Sequence, residues 1–208
     1  PIHLFEPQKK YFEIIKSKYS DSKNIKSYEY GCGEEPQDLQ LNIASNDGAS
    51  SSILEPKLHL EVHPDVEFTS KEVVRIRSLD SFNIIDSNFL NIDIQGYELK
   101  ALKGSLNTLS YIKYIYIEVN KKELYKDCAL VHEIDTFLEK FGFIRVSTKY
   151  AYDTLPWGDA LYVDREELKK FQIMKSVIKK YIYDVEFLYG CYISLRKIYW
   201  KIKSSTNN

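Results

Sequence analysis

A layered α/β domain is the fold class this sequence predicts, and three observations predict it. Apolar patterns of period two alternate along the chain with patterns of period 3.6, the signature of strands joined by helical crossovers. The stretch "FLNIDIQ" runs directly into "YELKALKGSLNTL", a strand delivering the chain into a helix. The length of 208 residues, 44% hydrophobic and 28% charged, suits a soluble domain with a sizeable core.

The elements follow in order. "PIHLFEP" opens as a buried-type strand, and "PQKKYFEIIKSKY" is a helix with Pro7 near its start and Phe12, Ile15 and Tyr19 on one face. Strands are expected near Ser27–Tyr30, Leu39–Ala44 and Val73–Arg77, with the polar loop "SNDGASSS" between the last two. "GCGEEPQD" reads as a hairpin-like turn. A glycine loop that cradles a cofactor must deliver the chain into a helix, whereas here Leu39, Leu41 and Ile43 alternate with polar residues. Leu99, Leu102, Leu106 and Leu109 fall at core spacing in the next helix. "IKYIYIEVN" is a strand with Ile115, Ile117 and Val119 on one face and Tyr114, Tyr116 and Glu118 on the other. "ALVHEIDTFLEKFG" is a helix ended by Gly142, and the strands "FIRVSTKY" and "DALYVDR" close a main body over residues 1–164. Residues 165–208 form a basic, aromatic-rich tail of one or two helices.

Charge narrows the function. A net charge of −1 gives no general attraction to nucleic acid. The tail nevertheless carries ten basic residues against four acidic ones, so it holds +6 while the remainder holds −7. With Tyr181, Phe187 and Trp200 interleaved, it suits contact with an anionic membrane surface or a partner enzyme, or a helical cap with a solvated basic face. Cys32, Cys128 and Cys191 are odd in number and lack Cys-x-x-Cys spacing, so reduced thiols, no zinc site and a cytoplasmic setting are expected. The four histidines form no metal motif, and no metal is expected.

In an open α/β sheet, ligands gather at the carboxyl ends of the strands. Glu6 closes the first strand, where a carboxylate can accept hydrogen bonds from both hydroxyls of a ribose; the same acid would also suit a helix start. Asp93 and Gln95 lie in "NIDIQGYE", where a strand hands over to a helix, and a capping role competes there with a functional one. Glu118 interrupts an apolar run and Asn120 follows it. A carboxylate so placed is costly to bury alone, which points to a polar pocket.

"HLFEP", "LNIASNDGASSSILEP", "VRIRSLDSF", "FLNIDIQGYELKALKGSL", "YIYIEVNKKELY" and "WGDALYV" occur in this order. Together they resemble the FkbM family of S-adenosylmethionine-dependent methyltransferases. The resemblance implies a Rossmann-like class I methyltransferase sheet with a C-terminal helical extension, and methyl transfer to an oxygen of a sugar, glycan or secondary metabolite. It implies cofactor contacts from Glu6, Pro7, Gly31, Cys32 and Asp93, since "FEP" matches the ribose-binding acid and "YEYGCG" falls at a strand end beside the adenine. Asp93 is then the first choice for base or acceptor-orienting group, with Gln95 and Glu118 beside it. Asn46, Asp47, Ser50 and Ser51 are the expected acceptor-binding residues. The family's glycine loop should precede "PIHLFEP", so the sheet is expected to lack its first strand and helix. If the gene lacks that loop as well, the alternative is a degenerate methyltransferase fold acting as an interaction module.

Overall fold

The computed structural model describes residues 1–150, 155–170 and 172–173. The chain divides into two compact units, Pro1–Asp164 and Arg165–Asn208. In the second, residues 165–170 and 172–173 are helical, and the expected tail helices beyond them lie outside the described residues.

The first unit is a mixed α/β structure of three sheets. Strand β1 (Ile2–Phe5) pairs in parallel with β2 (Ile25–Tyr28), and helix α1 (Lys9–Lys18) links them, burying Phe12. Strands β3 (Gly31–Cys32), β4 (Gln37–Ala44) and β5 (Phe68–Arg77) form a second sheet in the order β3-β5-β4. Short helix α2 (His59–Val62) lies between β4 and β5 in sequence. Strands β6 (Phe89–Ile92), β7 (Tyr114–Asn120), β8 (Phe143–Tyr150) and β9 (Trp157–Asp164) form the third, in the order β6-β7-β9-β8. Helix α3 (Glu98–Lys103) joins β6 to β7, and α4 (Val131–Lys140) joins β7 to β8. No described helix is long and apolar enough to cross a membrane.

The main core lies behind the third sheet. Ile115, Ile117 and Val119 of β7 pack with Leu102 of α3, Ile134 and Leu138 of α4, and Tyr162 of β9. Alternation along β7 thus does what the sequence predicts on that face. The opposite face is covered too, because Glu118 and Asn120 are also buried. Helix α4 starts where the Glu133 carboxylate accepts the Leu130 amide at 2.8 Å, and it stops at Gly142, whose φ of 87° suits a residue without Cβ.

Two expectations need correction. "GCGEEPQD" is not a hairpin turn: β3 runs parallel to β5, β4 runs antiparallel to it, and β5 lies between them. Local alternation finds strands but cannot say which of them pair. The helix expected through Leu109 ends at Lys103, followed by a separate 3-10 turn at Thr108–Ser110, so Leu106 is exposed while Leu102 and Leu109 are buried. The interruption falls at Gly104, whose missing side chain lets it approach the Gly33 carbonyl. Among the described residues β1 pairs only with β2 and β6 only with β7, which gives the three sheets.

Candidate functional site

Glu6 follows β1 directly, and its Oε1 accepts the Gln8 amide at 2.9 Å, which fixes the carboxylate beside the start of α1. Pro7 is brought against Gly31, where an added Cβ would lie 3.5 Å from the Pro7 Cβ and 2.7 Å from Ile76. Pro7, the residue after Glu6, is thus in van der Waals reach of Gly31. Cys32 continues the same short strand, and burial of its sulfur pushes the thiol up to about 12, which leaves it unreactive at neutral pH.

The loop after β4 meets this group. The Tyr11 hydroxyl donates to the Asp47 carbonyl at 2.6 Å, and the Gln8 side chain packs over Gly48. Burial raises the Tyr11 phenol, helped by the charges of Asp47 and Glu6. Asn46 and Ser50 exchange two hydrogen bonds, Asn46 Nδ2 to Ser50 Oγ at 2.9 Å and Ser50 N to Asn46 Oδ1 at 3.2 Å. Ser51 Oγ accepts the Ala44 amide at 3.0 Å. These three side chains thus shape the loop from within.

Asp93 lies exposed, just past the end of β6. Gln95 donates its side-chain amide to Asp93 Oδ1 at 2.7 Å. The other end of that amide, Gln95 Oε1, faces the Tyr125 hydroxyl at 3.0 Å, and the same hydroxyl is 2.8 Å from the Ser50 carbonyl. One phenolic proton is shared between two acceptors. This chain joins Asp93 to the loop expected to bind the acceptor, and Tyr125, fully buried, is its centre. Burial and then the charge of Glu118 raise the Tyr125 phenol, so it remains a neutral donor.

The turn that presents Asp93 is held from both sides. Gln95 and Gly96 have φ of 55° and 97°, a left-handed pair that is unfavourable for Gln95. Ser52 Oγ donates to the Gln95 carbonyl at 2.6 Å. The buried Glu98 Oε1 accepts the amides of Ile94 at 3.1 Å and Gly96 at 3.0 Å. Those bonds favour the carboxylate, but burial dominates and, with the neighbouring Asp93 charge, raises Glu98 to about 7. Strain persists where surroundings over-determine it, and such places are often functional.

Sequence reasoning missed Tyr125 and Ser52. Their partners lie far away along the chain, Ser50 and Gln95 for Tyr125 and Gln95 for Ser52, and no local pattern encodes that. The one available signal was the acid and amide ending "IYIEVN", which pointed to a polar pocket at Glu118, whose charge in the structure acts on Tyr125. Among the described residues no group of three or more His, Cys, Asp or Glu is placed to hold a metal ion.

Residues 2–145 match the family described as the methyltransferase FkbM domain. Over 153 residues the chain is 23% identical to a 2-O-methyltransferase, NoeI, of Sinorhizobium fredii, a match that covers 69% of this chain and spans 63% of that relative's length. Among solved structures it is similar to a methyltransferase FkbM from Methylobacillus flagellatus KT, with a TM-score of 0.46 and 17% identity, covering 77% of this chain and 36% of that one.

Proposed function

The chain belongs to the FkbM methyltransferase family, and from that premise we propose that it is an S-adenosylmethionine-dependent O-methyltransferase acting on a hydroxyl of a sugar, glycan or secondary metabolite. The finer fold reading goes with it: the parallel pair β1-β2 and the sheet β6-β7-β9-β8 are parts of one Rossmann-like arrangement. The observation that carries the reading is the hydrogen-bonded chain Asp93–Gln95–Tyr125–Ser50, which sets an exposed carboxylate at a strand's carboxyl end and ties it to the loop after β4.

When bound, S-adenosylmethionine supplies a sulfonium-activated methyl group. The residues present fit it, because Glu6 offers a carboxylate already oriented by the Gln8 amide at the end of a parallel strand. In this role Glu6 accepts hydrogen bonds from ribose hydroxyls, and Pro7, Gly31 and Cys32 line the adjacent wall. Asp93 orients the acceptor hydroxyl and takes its proton. Gln95 holds the Asp93 carboxylate in one rotamer, and Tyr125 holds Gln95. The loop at residues 46–51 shields the reacting oxygen from water, and the buried Glu118 acts on Tyr125 through its charge.

The test is transfer of isotopically labelled methyl from S-adenosylmethionine to a panel of hydroxylated acceptors, with S-adenosylhomocysteine release measured in parallel. Transfer to nitrogen or carbon acceptors alone would refute the oxygen assignment. Failure of the full-length protein to bind S-adenosylmethionine in calorimetry would refute the cofactor.

A further inference from the structure

The loop after β4 is gripped from two directions, each time by a tyrosine hydroxyl on a backbone carbonyl. Tyr11 of α1 donates to the Asp47 carbonyl at 2.6 Å, and Tyr125 donates to the Ser50 carbonyl at 2.8 Å. Asp47 and Gly48 have φ of 55° and 72°, a second left-handed pair, and at Asp47 that conformation needs support from outside. The loop also closes on itself. The Gly48 amide donates to the Ala44 carbonyl at 3.1 Å, the Ser51 amide to the Gly48 carbonyl at 3.0 Å, and the Ser50 amide to Asn46 Oδ1 at 3.2 Å. So tied, the loop has little freedom to absorb a shift at Asp47 before it reaches Ser50.

Tyr11 belongs to a turn that Glu6 fixes. The amides of Tyr11 and Phe12 both donate to the Gln8 carbonyl, at 3.1 and 2.9 Å, while the Gln8 amide donates to Glu6 at 2.9 Å. Gln8 is itself buried, and its side chain covers Gly48. Burial, then the charges of Asp47 and Glu6, raise the Tyr11 phenol, which keeps it a neutral donor. Beyond Ser50 the path continues through Tyr125 and Gln95 to Asp93. We propose that Tyr11 is a positioning residue for methyl transfer, coupling the cofactor side at Glu6 to the placing of Asp93 through the loop from Asp47 to Ser50. Glu6, accepting hydrogen bonds from ribose hydroxyls, restrains the first turn of α1. That turn restrains the loop, and the loop holds the hydroxyl that steadies Gln95. The inference rests on the methyltransferase reading above.

The experiment is amide hydrogen exchange on the full-length protein with and without S-adenosylhomocysteine, whose binding is first measured by calorimetry. The reporters are the amides of Gly48, Ser50 and Ser51 in the loop and of Ile94 and Gly96 in the turn after β6, all hydrogen-bonded in the structure. In wild type, S-adenosylhomocysteine should slow exchange in both groups about fivefold or more. In Tyr11→Phe it should slow neither, although it still binds. In Tyr125→Phe it should slow the loop amides and no longer the turn amides. Protection that persists in Tyr11→Phe would overturn the proposal and leave Tyr11 a tether of the fold, whatever its melting temperature. Wild-type amides unmoved by the bound ligand would overturn it too. Should Tyr11→Phe fail to fold, Tyr125→Phe decides, because turn protection retained there breaks the path at its second link. A full-length protein that does not bind S-adenosylhomocysteine removes the methyltransferase reading itself, and the coupling with it.

Discussion

Gln95 donates its side-chain amide to Asp93 across 2.7 Å, from a backbone held at a φ of 55°. A strained residue aims a carboxylate that would otherwise sample several rotamers. Asp93→Asn should lower turnover about a hundredfold or more while leaving cofactor affinity nearly unchanged. Glu6→Gln should do the reverse, weakening the cofactor by about 1–3 kcal/mol. Steady-state kinetics and calorimetry on both variants separate the roles, because the two losses move different parameters. An Asp93→Asn variant with full turnover and a reduced melting temperature would identify Asp93 as a cap of the turn.

Tyr125→Phe should be costly beyond its single missing oxygen. The Ser50 carbonyl and Gln95 Oε1 both lose their donor, which predicts a destabilisation of about 1–3 kcal/mol in denaturant melts. If Gln95 then turns, Asp93 loses its partner as well, and turnover should fall about tenfold or more with KM little changed. Loss of stability alone would confine Tyr125 to a structural role.

Glu98 gives the protein a pH dependence of defined sign. Its carboxyl rises from 4.5 to about 7 on folding, so the folded state holds the proton more tightly. The stability that Glu98 contributes is therefore fullest below pH 4.5 and is lost as pH rises toward 7, by about 3 kcal/mol. Glu98→Gln keeps the acceptor for the Ile94 and Gly96 amides but removes the titration. Melts across this range should show wild type losing stability relative to the variant as pH rises. Equal slopes would mean the group titrates normally. Asp93→Asn should lower the Glu98 pKa, because the Asp93 charge is one of its causes.

Two glycines should differ in their tolerance for alanine. A Cβ on Gly104 would sit 1.9 Å from the Gly33 carbonyl oxygen, so Gly104→Ala must push the end of α3 away from β3, at about 3 kcal/mol. Gly142 has a φ of 87°, but its nearest neighbour would be 3.7 Å away, so Gly142→Ala carries only the backbone strain of about 1–2 kcal/mol. Equilibrium unfolding of the pair tests the ranking.

The strands and α4 were legible because period and caps are local. β7 announces itself through Ile115, Ile117 and Val119, and α4 through the stretch "ALVHEIDTFLEKFG" and its end at Gly142. The pairing of β3 and β4 with β5 was not legible, because register is a contest among distant segments. The same distinction divides the site. Asp93, Gln95 and Glu6 stand at strand ends, which a sequence can mark. Tyr125 and Ser52 matter only through what tertiary packing brings beside them.

The strand order β6-β7-β9-β8 also has a consequence for synthesis on the ribosome. One edge of β7 is covered by β6, which precedes it, but the other must wait for β9. At about 5–20 residues per second, the chain from Asn120 to Trp157 takes about two to seven seconds to make. Throughout that interval a β-branched, apolar strand presents an open edge, the kind of template on which aggregation begins. Helix α4, emerging in between, can shield only its face. Folding yield in the cell should then depend on how well that edge is guarded while translation continues.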